Sequence, residues 1–138
     1  MIAHSEWRGG KIFEGIAENG NSVFFDADPA HFQGPSPLEA VLMALCACTS
    51  VDVVSILEKK RQRLEGLRVT AAAEQAANAP HVFTKIMLTY SLSGLLSRKA
   101  VEDAVALSKE KYCPVSQMLG KAAAIDYEIV FEGGEPLP

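Results

Sequence analysis

Along this chain the spacing of apolar and polar residues changes rhythm several times, and each change predicts an element. Two short apolar runs, "KIFEGIAENG" and "NSVFFDA", flank Asn19-Gly20, a pair that tolerates the positive φ of a type I′ turn and so predicts a hairpin. With Gly9-Gly10 as an earlier turn, residues 3–26 read as three antiparallel strands. "DADPAHFQGPSP" holds three prolines and a glycine and reads as an ordered loop, with Ser36 as N-cap and Pro37 at the first helical position. The helix that follows is apolar nearly all round from Ala40 to Val51, which predicts a buried central helix reaching about Arg61.

Beyond it the rhythm returns to two. Leu67, Val69, Ala71 and Ala73 share one face of a predicted strand, and Val82, Ile86, Leu88 and Tyr90 share one face of another. Helical spacing resumes through Val101, Ala104, Val105 and Ser108. "PVSQMLGKA" reads as a further short helix, and Ile125, Tyr127, Ile129 and Phe131 alternate with polar residues in a last strand. The order βββ-α-ββ-αα-β groups strands around helices, which predicts an α+β fold, an antiparallel sheet wrapped on a long buried helix.

Composition narrows the class. The 138 residues are 49% hydrophobic with a net charge of −4, the profile of a single domain over 1–138 that buries roughly 65–70% of its unfolded surface. The acidic balance and the lack of a basic face predict no nucleic-acid partner, and "EKKRQR" at 58–63 reads as a solvated helix end. The apolar run between Glu39 and Asp52 spans twelve residues, short of the about 20 that a bilayer crossing needs, so no membrane span is expected. "MIAHSEWRGG" has neither a basic start nor an apolar stretch of the secretory kind, and the three cysteines are expected in a reducing cytoplasm.

Candidate chemistry centres on those cysteines. Cys46 and Cys48 lie two apart on the central helix and face directions about 200° apart, so they do not act together. His4, His31 and His81 are scattered and none pairs with a cysteine at ligand spacing, so neither a metal nor another cofactor is expected. Cys113 precedes Pro114 and therefore stands at or beside a helix N-terminus, a place that stabilises thiolates. Free cysteine also serves as a small buried hydrophobe, and both readings stand at this point.

Gly34-x-x-Pro37, Cys48 eleven residues later, and "CPVSQML" ahead of a final strand resemble the OsmC/Ohr family of organic hydroperoxide reductases, and within it the YhfA-type branch. The resemblance runs from Trp7 to Phe131. It implies an intertwined homodimer whose sites lie between subunits, Cys48 as the peroxidatic cysteine and Cys113 as the resolving one, with a hydroperoxide as substrate and an external thiol or dithiol as reductant. Cys46 has no role in that pattern and reads as a core filler.

The family pattern also implies an arginine ahead of the Gly-x-x-Pro motif and a glutamate directly after its proline. Here the loop "FFDADPAHFQGPSP" contains no arginine or lysine, Leu38 follows the proline, and Glu39 comes one residue later. His31 and Arg8 are the candidate replacements for the cation, and Glu39 for the carboxylate. Asp52 lies one turn after Cys48 and reads as structural, while Ser116 and Gln117 read as caps or as donors toward Cys113. Three expectations follow: a thiol-dependent peroxidase of oxidative-stress defence, a redox-sensing or ligand-binding dimer of weak or no peroxidase activity, or a dimer whose cysteines only pack.

Overall fold

In a computed structural model describing residues 1–138, the elements follow the order the patterning predicts, βββ-α-ββ-αα-β. Two compact units divide the chain, Met1–Met43 and Ala44–Pro138.

In the first unit β1 (Ala3–Trp7), β2 (Ile12–Ala17) and β3 (Ser22–Asp26) form an antiparallel sheet in sequence order. The second hairpin differs from its predicted turn. Gly20 donates to the Ala17 carbonyl and alone in the turn takes a positive φ of 91°, so Glu18 and Asn19 form the centre of an ordinary turn and Gly20 supplies the left-handed residue after it. A type I′ turn would need Asn19 at positive φ as well, and three loop residues relieve it of that. Loop 27–36 is organised by Asp26, only 3% exposed, whose carboxylate accepts from the backbone N–H of Asp28 at 2.9 Å and of Gln33 at 3.2 Å. The Asp26 N–H donates in turn to the Pro35 carbonyl, which seats the loop on β3. That seating requires Gly34, because a Cβ there would collide with the Phe24 carbonyl.

Helix α1 (Pro37–Lys59) begins where predicted, and a reciprocal capping box explains why: Ser36 Oγ accepts from the Glu39 N–H at 3.1 Å and Glu39 Oε1 accepts from the Ser36 N–H at 2.9 Å. The helix ends at Lys59 and not Arg61. Arg61, at φ 55°, donates to the Glu58 carbonyl and Gln62 to that of Leu57, a Schellman closure with arginine where glycine is usual.

The buried stripe of α1 is narrow: Leu45, Thr49, Val53 and Leu57, each four residues from the last. Val51 is 68% exposed and Ala44 and Ala47 are also exposed, so within one chain the helix is buried on one side only. Apolar composition marks a surface that needs cover without saying whose atoms supply it. The length argument against a membrane span also weakens, because this 23-residue helix is long and apolar enough to cross a bilayer by length and composition. Along its buried stripe the helix is held by polar contacts within the second unit, Thr49 to Tyr90 and Asp52 to Ser108.

In that unit β4 (Arg63–Gln75) pairs antiparallel with β5 (Phe83–Leu95), and β6 (Ala124–Phe131) lies parallel to β5. The parallel pair departs from the expected all-antiparallel sheet. It arises because α2 (Arg98–Leu107), a π turn (Ser108–Tyr112) and α3 (Pro114–Leu119) carry the chain back before β6, a crossover long enough to restore its direction. Ile86, Leu88, Tyr90 and Leu92 alternate on the buried face of β5, and Val101, Ala104 and Val105 form the buried stripe of α2. Each fully buried aliphatic side chain contributes about 1.5–3 kcal/mol.

Candidate active site: a thiol pair beside a buried hydroxyl chain

Cys113 is the N-cap of α3 and is fully buried, with its Sγ accepting from the Ser116 N–H at 3.3 Å. Pro114 fixes that geometry, since it opens the helix and lacks an N–H of its own. Upstream, the Cys113 N–H reaches back five residues to the Ser108 carbonyl at 2.8 Å, the bond that closes the π turn. Ser116 and Gln117 do act as caps: the Ser116 hydroxyl and the Gln117 amide donate to the Lys109 carbonyl at 3.0 and 2.9 Å, and the same amide reaches the Glu110 carbonyl at 2.9 Å. Of the Ser116 and Gln117 donors, the Ser116 backbone N–H is the one that points at the sulfur.

Cys48, half-buried on α1, is the thiol that neighbours Cys113, near enough to raise its pKa. Both are free thiols. Burial pushes the Cys113 thiol up to about 11, the Ser116 N–H opposes that shift, and the neighbouring Cys48 adds to it. No lysine or arginine acts on this sulfur. Cys46 faces another way, toward the Ala71 backbone of β4, and burial raises its pKa too. The 200° rule for residues two apart on a helix therefore separates the two helical cysteines as expected.

Alongside the thiols runs a chain of hydroxyls that the patterning did not single out. Tyr90 Oη lies 2.6 Å from Thr49 Oγ1, Thr49 Oγ1 lies 2.8 Å from Ser108 Oγ, and Ser108 Oγ donates to Asp52 Oδ2 at 2.8 Å. Tyr90, Thr49 and Ser108 are fully buried. Burial raises Tyr90 to about 12, and its ring packs edge-on to Tyr127 with centroids 6.1 Å apart. Each of the three hydroxyls interrupts an otherwise apolar stripe, of α1, of β5, or of α2 continued into the π turn, and that interruption was the available signal.

The residues of the first unit are otherwise engaged. Glu39 is held below the usual carboxylate range by its capping bonds to Ser36, and His31 Nε2 stands 4.0 Å from it, with Nδ1 2.8 Å from the Asp26 carbonyl. Arg8 pairs with Glu14 at 2.6 Å and Glu6 at 2.7 Å, and the Glu14 bond raises its pKa further. The structure thus joins Cys48 to Cys113, and His31 to Glu39.

The family model described as OsmC-like protein matches residues 28–128. The chain belongs to the OsmC-like family. Among OsmC-like relatives, Protein YhfA of Escherichia coli K12 is 41% identical over 133 residues, covering 94% of this chain and 98% of that protein. An OsmC-like protein from Mycoplasma pneumoniae superposes with a TM-score of 0.81 at 18% identity, covering 94% of this chain and 95% of the other. An organic hydroperoxide resistance protein OsmC from Legionella pneumophila does so with a TM-score of 0.70 at 20% identity, again covering 94% and 95%. These two likenesses establish the OsmC-like fold.

Proposed function

We propose that this protein is a thiol-dependent peroxidase for organic hydroperoxides or hydrogen peroxide, acting through Cys48 and Cys113 in the cytoplasm. The observation that carries the reading is the juxtaposition of two free thiols from α1 and the start of α3, one half-buried and one fully buried. In the first step the Cys48 sulfur attacks the O–O bond, an alcohol or water leaves, and Cys48 becomes a sulfenic acid. In the second the Cys113 sulfur displaces water from it, the Cys113 proton leaving with the departing hydroxide, and a disulfide forms. An external thiol or dithiol returns both to thiols. Membership of a family that includes hydroperoxide resistance proteins supports the class of reaction.

The functional form of this reading is a homodimer. Support comes from apolar surface that one chain leaves open: Val51 on α1, and Trp7, Val23 and Phe24 on the sheet of β1 to β3, at 47–69% exposure. A second reading, a redox sensor or ligand-binding dimer of weak or no peroxidase activity, is favoured by one observation. The candidate replacements for the family's cation and carboxylate are committed elsewhere, Arg8 to Glu6 and Glu14 and Glu39 to its capping box.

Consumption of cumene hydroperoxide by the reduced protein with a dithiol separates the two. The peroxidase reading expects turnover that Cys48→Ser abolishes, while Cys113→Ser stops after one equivalent. Turnover no faster than that of a free thiol in solution overturns the reading in favour of sensing or binding.

A further inference from the structure

Hydrogen counting gives the hydroxyl chain a direction. A serine, threonine or tyrosine hydroxyl has one hydrogen to donate, and a carboxylate accepts only. Ser108 gives its hydrogen to Asp52 at 2.8 Å. Its hydroxyl also lies 3.4 Å from the Thr49 carbonyl, but the shorter contact to a charged acceptor takes the single hydrogen. Ser108 Oγ therefore accepts from Thr49, and Thr49 accepts from Tyr90. Every hydrogen in the row points toward Asp52.

Ser108 is the joint in this row. Its hydroxyl is held by Thr49 and Asp52, which follow Cys48 on α1, one residue and one turn after it. Its carbonyl holds the Cys113 N–H through the π turn. One residue thus binds the segment carrying one thiol to the segment carrying the other, and it sits where the helix widens to a π turn, a distortion common at functional sites. Without the widened turn, Cys113 would leave the helix about 100° away from its present direction.

We propose that Ser108, anchored by Asp52, is a positioning residue that sets the approach of Cys113 to Cys48 and thereby the ease with which the pair closes to a disulfide. The proposal rests on the reading of Cys48 and Cys113 as a reacting pair. Closure by glutathione disulfide consumes one such disulfide, oxidises the two protein thiols, and releases two glutathione thiols, so its equilibrium constant reports how well the protein presents one sulfur to the other.

The test is that equilibrium, measured by quenched alkylation and mass in glutathione buffers, for wild type, Ser108→Ala, Asp52→Ala, Asp52→Asn and Val101→Ala. Asp52→Asn keeps an oxygen able to accept from Ser108, and Val101→Ala is a core truncation on α2 that lowers stability without touching the joint. The expected result is a fall of about tenfold or more in the constant for Ser108→Ala and Asp52→Ala, with a smaller change in Asp52→Asn and none in Val101→Ala. Constants equal to wild type in Ser108→Ala and Asp52→Ala, or a fall in Val101→Ala that matches theirs, would make Ser108 merely structural and overturn the proposal. A wild-type protein that forms no Cys48–Cys113 disulfide at any glutathione ratio overturns the paired-thiol reading itself.

Discussion

Replacing Thr49 by valine tests the direction of the hydroxyl row directly. The substitution keeps the volume, so no cavity term enters, and the whole effect comes from lost hydrogen bonds. Tyr90 loses its acceptor while fully buried, which costs about 1–3 kcal/mol for a stranded donor. Ser108 loses the bond it accepted, a further 0.5–1.5 kcal/mol or about that. The sum is a destabilisation of about 1.5–4.5 kcal/mol. Tyr90→Phe is milder, because Thr49 still donates to Ser108 and only an acceptor site goes empty, so about 0.5–1.5 kcal/mol is expected. In the double variant no stranded donor exists, and the loss should fall short of the two singles added together by about 1–2 kcal/mol. Urea unfolding followed by far-ultraviolet circular dichroism, with the m-value constant across the set, measures all four corners. Additivity within about 0.5 kcal/mol would refute the argument that Tyr90 donates to Thr49.

Other outcomes follow from the same geometry. Iodoacetamide added briefly to the native protein at pH 7.5 should modify Cys48 well before Cys113, because burial holds Cys113 near 11 and shuts it from solvent; peptide mapping that finds Cys113 labelled first would contradict this. Stability should fall on the alkaline side. Cys113 and Tyr90 are both raised by burial, from 9.0 to about 11 and from 10.0 to about 12, so the stability each contributes is complete below its unfolded value and is lost as pH rises through its folded one. Reversible unfolding between pH 9 and 12 should therefore show a decline that Tyr90→Phe flattens at the upper end. Gly34→Ala should destabilise the first unit by about 1–3 kcal/mol, since the Phe24 carbonyl occupies the space a Cβ needs; an unchanged urea midpoint would show that the loop relaxes freely.

How much of this was legible in the sequence depends on the range of the interaction. Ser36-Pro37 and the periods of two and 3.6 are local signals, and the element order and the start of α1 follow from them. The direction of β6 is not local: nothing within "AIDYEIVFE" says which way it runs, and only the length of the preceding crossover bears on it. The Asn19-Gly20 pair specified a hairpin but not its loop length, because glycine serves either turn. For α1 the apolar pattern could not distinguish burial within a chain from burial against another. At the site, spacing separated Cys46 from Cys48, yet the approach of Cys113 to Cys48 spans 65 residues and came from the family pattern alone. The hydroxyl row was hidden in a different way. Ser108 was counted with the apolar stripe of its helix and Tyr90 with that of its strand, when a polar atom in each such stripe must find a partner on another element.

On the proposed reading, the contrast between the two thiols is what makes a pair useful. A thiol at about 11 is ionised in only about one molecule in ten thousand at pH 7, so Cys113 is nearly inert to peroxide and is spared oxidation. The same inertness would make it a poor nucleophile toward a sulfenic acid in solution. Two features of the site offset this. Cys48 is already its neighbour, so closing the disulfide needs no search, and the Ser116 N–H is aimed at the sulfur that must shed its proton to attack, where it favours the thiolate. The attack also frees a hydroxide that takes up the Cys113 proton, so neither a lysine nor a histidine is required to accept it. Any missing activation therefore belongs to the first step, at Cys48, where a cation would have to stabilise the leaving oxygen. Guanidinium added at low concentration should accelerate peroxide consumption while leaving disulfide closure unchanged, and stopped-flow measurement of the two steps would distinguish them. Acceleration of closure instead would show that resolution, not attack, is what the missing cation limits.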